Sequence, residues 1–328
     1  MLKELLALGR PLLADGATGT NLFEMGLVSG ETPELWNDTH PERIRALHKM
    51  FVDAGSDIIL TNSFGGNSRR LMLHKLESRV HELNKLAAEN ARAVADAAGR
   101  PVVVAGSVGP TGDLLFPLGA LTIEQAEEVF VEQIEGLKAG GADVVWIETM
   151  SAPDEIRAAA KAAARCAMPY CVTASFDTAG RTMMGVTPQE MAELAATLDP
   201  PPLAFGANCG VGASDLLVSV LGMTGAAPNA KVIAKANAGV PQWHGAEIHY
   251  SGTPELMNRY AALAVDSGAA IIGGCCGNKP EHVAAMRRAL DAHLKASRPD
   301  DEAVIEALGP LASPPNKGGA PARTRRRG

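Results

Sequence analysis

Aromatic residues are scarce: seven Phe, three Tyr and three Trp make up 4% of the 328 residues. A core so poor in rings must be built from aliphatic side chains, and an aromatic cluster at any functional site draws on a very small stock. Long apolar runs are missing too, and none approaches the ~20 residues that a membrane-crossing helix needs. At the amino terminus, Met1–Gly9 has too short an apolar core for a secretory signal, and Glu4 interrupts it. Basic charge is lacking: 30 Lys and Arg against 37 Asp and Glu leave a net charge of −7, which argues against a nucleic-acid-binding face. The five cysteines are odd in number and widely spread, so a disulfide framework is not expected; reduced thiols in a cytoplasmic protein are.

What is present is a 46% hydrophobic chain with 20% charged residues, the balance of a globular protein. Eight short apolar, β-rich runs stand out: Pro11–Gly16, Asp57–Ser63, Val102–Gly109, Val144–Thr149, Tyr170–Phe176, Leu203–Gly210, Val232–Gly239 and Ala269–Gly277. Apolar residues recur at helical spacing between them, as at Ile44, Leu47 and Phe51. Thr122 with Gln125 forms a capping-box pattern, and Thr187-Pro188 with Glu190 another helix start. Strand then helix, eight times over within roughly 280 residues, predicts a single-domain (β/α)8 TIM barrel rather than a doubly wound open sheet. Loops are expected over one face at Gly26–Asn37, with Trp36, and at Pro241–Gly252, with Trp243, His244, His249 and Tyr250. Residues 1–296 are assigned to the barrel and 297–328, rich in Pro, Gly, Asp and Arg, to a flexible tail.

Polar groups gather where the runs end, and in a barrel those ends share the carboxyl-terminal face. Two cysteines, Cys275 and Cys276, end the eighth run, and Cys209 ends the sixth. Neighbouring residues of a regular strand point to opposite faces, so two vicinal thiols share one target only if the backbone bends; Gly273, Gly274 and Gly277 permit that. Three convergent thiolates form a zinc site with one open position. Such a donor set weakens zinc as a Lewis acid toward water but still deprotonates an entering thiol. The chemistry favoured is activation of a substrate thiol for alkyl transfer. A zinc hydrolase would want His or carboxylate ligands, and no His stands at any strand end; a redox sensor built on the vicinal cysteines is the other alternative. Cys166 and Cys171 end no run and read as buried hydrophobes. Asp15 and Glu148 are placed to hold an ammonium, and the amides of Gly16, Ala17 and Thr18 to meet a carboxylate. Ser175, Phe64 and Trp36 complete the expected substrate set, and Asn237 is a candidate resting fourth ligand.

These residues resemble the homocysteine S-methyltransferase family from about Leu12 to Leu294. The resemblance rests on Asp15-Gly-Ala-Thr-Gly-Thr20, Ala54–Phe64, Gly106–Gly112, Ile147-Glu-Thr149, Asn208-Cys209-Gly210, Asn237-Ala-Gly239 and Gly273-Gly-Cys-Cys-Gly277. It implies a zinc-bearing barrel that methylates homocysteine to methionine, zinc on Cys209, Cys275 and Cys276, and homocysteine against Asp15 and Glu148. Betaine or a related onium is the first expectation for the donor; S-methylmethionine or a methylated corrinoid protein partner is the alternative. Members resembling betaine–homocysteine methyltransferase carry Tyr after the strand-two Phe and after the strand-four Glu, where this chain has Gly65 and Thr149. Those departures move the site toward the methionine-synthase pattern, in which Asn237 fits as the resting ligand. The length leaves no room for folate or cobalamin domains, so a complete methionine synthase is not expected. Oligomeric state is left open.

Overall fold

The computed structural model describes residues 1–244 and 247–314, with backbone alone for 241–244 and 247–249. All eight apolar runs form strands of one parallel sheet: β1 (Leu12–Leu13), β2 (Ile58–Leu60), β3 (Val103–Val108), β4 (Val144–Met150), β5 (Tyr170–Ala174), β6 (Ala204–Cys209), β7 (Val232–Ala236) and, after a two-stranded hairpin of β8 (Pro241–His244) and β9 (Glu247–Tyr250), β10 (Ala269–Gly274). The sheet runs β1-β10-β7-β6-β5-β4-β3-β2, so chain order is spatial order, as right-handed βα crossovers produce. Helices between the strands cover the outside, making this a (β/α)8 barrel.

Alternation along each strand separates two cores. Val232, Ala234 and Ala236 of β7 join the layer between sheet and helices, whereas Ile233 joins the barrel interior with Leu12, Ile58, Val103, Trp146 and Ile271. The amino-terminal helix Leu2–Ala7 belongs to the interior cluster through Leu2, Leu5 and Leu6, plugging the barrel's lower end.

The β1–β2 seam holds one backbone bridge, Ala14 to Ile58. Side chains supplement it at both ends. Asp57 accepts from the Leu13 amide at 2.9 Å, and Asp15 accepts from the Leu60 amide at 2.7 Å. Arg10 grips Asp57 through two hydrogen bonds of 2.8 and 3.0 Å. Two carboxylates thus take the place of missing ladder acceptors.

Both capping boxes form, at Thr122/Gln125 and Thr187/Glu190, each worth about 1 kcal/mol. The stretch 67–99 yields a short helix, Ser68–Leu71, two single turns and a long helix, Val80–Asp96. The segment expected as a flexible tail is structured as far as residue 314. Helix Asp301–Leu308, capped by Asp300, buries Val304 completely, and the Ala312 and Ser313 amides donate to Asp215 at 2.9 and 2.8 Å. Its Pro- and Gly-rich flanks mask a short apolar stripe of Val304 and Leu308. The basic end, Arg323–Arg327, lies outside the described residues.

Candidate metal centre

The strands deliver their polar ends to one face, where a cleft of about 640 Å³ opens between the βα loops. Gly16, Ala17, Thr18, Phe64, Ser107, Glu148, Cys209, Lys235, Tyr250, Cys275 and Cys276 are among its lining. Cys209, at the end of β6, stands at φ +63°, a left-handed backbone that a non-glycine residue rarely adopts. Cys275 and Cys276 follow β10 directly, the Cys275 amide donating to the Ala236 carbonyl at 2.7 Å. Gly277 takes φ +77°, and a β-carbon there would sit 2.3 Å from the Tyr250 ring. Gly274 serves differently: any side chain would strike Asn278, 2.4 Å away, so this glycine answers a close approach rather than a bend.

The sulfurs of Cys209, Cys275 and Cys276 all lie within 4.8 Å of one another, with Cys209 and Cys276 at 4.0 Å. This is a three-cysteine cluster able to hold a metal ion. Hydrogen bonds from Cys209 and Cys275 hold the Cys276 thiol well below its ordinary value, and the hydrogen bonds of Cys209 with Cys275 and Cys276 push Cys209 up. Of the three thiols, Cys276 is therefore the one favoured as thiolate, while Cys209 and Cys275 are held protonated beside it. Asn237 is buried; its amide nitrogen donates to the Gly210 carbonyl at 2.7 Å, while its Oδ1 has no partner among the described residues. Asn208 ties the wall together. It accepts from the Thr149 amide and the Thr173 hydroxyl, donates to the Thr149 hydroxyl, and approaches the Cys275 sulfur at 3.7 Å. Thr149 itself stands at φ +62°, where β4 slips register against β5 between Ile147 and Met150.

Below the cysteines lies a buried charged floor. Asp15 takes the Lys235 ammonium at 2.8 Å and the Leu60 amide, so each of its oxygens is engaged. Glu148 accepts from the Ser107 hydroxyl at 2.5 Å. Burial pushes the Glu148 carboxyl up to about 7, helped by Cys275 and Asp15 and opposed by Lys235 and Ser107. Burial opposes the charge on Lys235, but Asp15 and Glu148 outweigh it and raise its pKa.

Phe64 and Tyr250 line the cleft, whereas three residues of the expected set do not: Asp15, expected to hold an ammonium, has both oxygens engaged by Lys235 and the Leu60 amide beneath it, and Trp36 and Ser175 are buried elsewhere. Trp36 is 4% exposed, packed in the sheet–helix core with its ring 4.8 Å from that of His40 and under the Arg43 guanidinium. The short helix Trp36–Thr39 turns that ring inward, which the loop reading could not foresee. Ser175 is buried beyond the lining, its amide closing on the Met150 carbonyl at 3.1 Å. The side chains of Trp243, His244 and His249 lie outside the described residues. Sequence reasoning missed Lys235 altogether. Its signal was available: a lysine inside the apolar run Val232–Ala236 must find a buried partner.

The family model described as homocysteine S-methyltransferase matches residues 12–290. The chain belongs to the homocysteine S-methyltransferase family. Among curated relatives, the methionine synthases of Mycobacterium leprae (strain TN) and Mycobacterium tuberculosis (strain ATCC 25618 / H37Rv) are 28% and 27% identical, over 86% and 90% of this chain. The matches span 24% and 26% of those relatives, so the chain corresponds to about a quarter of their length. The homocysteine methyltransferase MmuM from Escherichia coli, in its metallated form, shares the fold with a TM-score of 0.73 at 24% identity, over 88% of this chain and 99% of that one. Its oxidized form gives 0.70. Among the described residues no helix is long and apolar enough to cross a membrane.

Proposed function

We propose that this protein methylates homocysteine to methionine at a zinc ion held by Cys209, Cys275 and Cys276. The observation that carries the reading is the convergence of three sulfurs from two distant strands over a buried, charged floor. The donor set suits zinc: thiolates around a tetrahedral zinc lie about 3.8 Å apart, given Zn–S bonds near 2.3 Å, and 4.0 Å separates Cys209 from Cys276. The partnerless Asn237 oxygen is available as a resting fourth ligand. When bound, zinc would supply a positive centre that lowers the pKa of a substrate thiol, so that its proton is released to solvent and its sulfur stays nucleophilic.

The protein's own residues do the rest. Glu148 lines the cleft and, ionised, holds the substrate ammonium; Asp15, spent on Lys235 and the seam, orients the floor. Ala17 donates its amide to the Asn278 carbonyl at 3.1 Å, which leaves Gly16 and Thr18 of the same loop for the substrate carboxylate. The substrate sulfur attacks the donor methyl carbon in line. A sulfur–carbon bond forms as the donor's carbon–heteroatom bond breaks, and the electron pair leaves on the donor. From an onium donor the leaving group is neutral, so no general acid is needed. Phe64 and Tyr250 offer ring faces to the cation of betaine or a related onium. Free thiols of this kind suit a reducing, cytoplasmic setting.

A second reading of the donor, a methylated corrinoid protein, is favoured by the rim. Leu73, in the cleft lining, and Phe116, Leu118 and Met183, on the loops after β3 and β5, stand 67–73% exposed, and exposed apolar groups on one face suit a protein contact. The deciding assay follows methionine formation and loss of homocysteine thiol by zinc-loaded protein with betaine, S-methylmethionine, dimethylsulfonium compounds and methylcobalamin. Zinc-free protein, or no homocysteine-dependent turnover with any donor, refutes the proposal.

A further inference from the structure

Lys235 is 2% exposed, and in β7 it points the way Ile233 does, into the barrel interior one layer nearer the cysteines. Asp15 holds it from behind at 2.8 Å, and the Trp146 ring lies beneath, 5.9 Å from the ammonium. The orientation of the pair is the informative point. Lys235 lines the cleft and Asp15 does not, so the ion pair presents its positive end to the reacting groups. Cys275 is hydrogen-bonded through its amide to Ala236, the next residue along β7, which sets the cysteine-bearing end of β10 alongside the end of β7.

Charge bookkeeping then singles this lysine out. Three thiolates on a dication leave one negative charge in excess. Glu148 adds another once ionised, and a homocysteine thiolate a third. Arg70 and His74 also line the cleft, but each is half-buried or exposed on the loop after β2, not in the interior. Among the described residues Lys235 is the only fully buried lysine or arginine. An anion entering a site already rich in anions needs such a counter-charge nearby, because low local dielectric amplifies the repulsion.

We propose that Lys235 is a positioning residue that makes the cleft selective for the thiolate form of its acceptor: the lysine, held by Asp15, offsets the negative charge that the substrate sulfur brings. This rests on the homocysteine-methylating function proposed above. It has a kinetic corollary. Methyl transfer converts the thiolate into a neutral thioether, so the lysine's help is greatest in the bound ground state and fades along the reaction. Removing it raises KM for homocysteine and leaves kcat unchanged or higher.

The test measures binding directly, by calorimetry on zinc-loaded wild-type protein, Lys235→Met and Lys235→Arg, with L-homocysteine and L-methionine as probes. The two probes share their amino-acid portion and differ in whether the sulfur carries charge. The expected result for Lys235→Met is a loss of homocysteine affinity on the order of 30-fold, with methionine affinity within a factor of about three and full zinc content; Lys235→Arg restores most of the homocysteine affinity. Equal losses for both probes, or no loss for either, overturn the proposal. Because Lys235→Met strands Asp15 in the interior and folding could suffer, Asp15→Asn/Lys235→Met removes both charges together, and the same selective loss is expected there. Wild-type protein that binds neither probe would refute the proposed function itself, an outcome distinct from an unselective Lys235→Met.

Discussion

On the floor of the cleft the charged groups are buried and partnered: Asp15 with Lys235, Glu148 with Ser107. Around the rim, Leu73, Leu114, Phe116, Leu118 and Met183 stand in water. The two regions carry different costs. A buried polar network stays in place only if every member is satisfied, so it fixes one geometry and one acceptor. Exposed side chains on loops are held by few contacts and can vary without disturbing the fold. On the function proposed above, the contrast gives acceptor recognition and sulfur chemistry to the floor, and the choice of methyl donor to the rim.

The contrast breaks most severely if the cysteine cluster is broken. Cys276→Ala is expected to lose bound zinc, read by elemental analysis, and to cut methionine formation by about 30-fold or more, since a free thiol is only a few per cent ionised near neutrality. Chelation of the wild type should do the same, reversibly on adding zinc. Glu148 follows. Its carboxyl titrates near 7 rather than at its ordinary 4.5, and only its ionised form holds an ammonium. kcat/KM for homocysteine should therefore rise as pH climbs through about 7, with Asp15, Lys235 and Cys275 as the charged or titratable groups felt at that carboxyl. Glu148→Gln should flatten that limb and lower kcat/KM by roughly 100-fold, the worth of a charge-assisted hydrogen bond. Stability runs the other way. A carboxyl whose pKa is raised by folding stabilises the native state below about 4.5, and that contribution is lost as pH rises through about 7, so metal-free Glu148→Gln should lose less stability than wild type over that range.

Rim variants sharpen the comparison. Phe64→Ala should raise KM for a small onium donor by about fivefold, the worth of one exposed cation–π contact. Phe116→Ala with Leu118→Asp should leave small-donor turnover alone and depress turnover from a protein-borne methyl group by about tenfold. The smallest functional effect belongs to Val304→Ala, in the carboxyl-terminal helix. It should cost about 1–2 kcal/mol, read as a fall of roughly 2–8 °C in Tm, with kcat unchanged.

How much of this could be read from the chain varies by residue. Each strand of the barrel announced itself as an apolar run closing on polar residues, and the three cysteines stood at such ends. That legibility is physical: parallel strands are buried on both faces, so their sequences are nearly uniform in hydrophobicity. That Lys235 needs a buried partner was legible in its apolar run, but which partner was not: Asp15 lies 220 positions away, and no local pattern encodes so distant an ion pair. Trp36 was misread because a loop assignment says nothing about which way a ring turns. The left-handed backbones at Thr149 and Cys209 carry no glycine to advertise them. The carboxyl-terminal helix was hidden by flanks whose composition resembles disorder.

The leucines that stopper the barrel's lower end also settle the traffic through it. With Leu2, Leu5 and Leu6 packed among the interior strands, everything enters and departs by a single doorway. On the proposed function, an amino acid seated on the floor and a methyl carrier seated above it would then queue, the deeper guest arriving first and leaving last. A crowd of carriers would bar the way to a vacant floor, and the protein would be slowed by its own donor in excess.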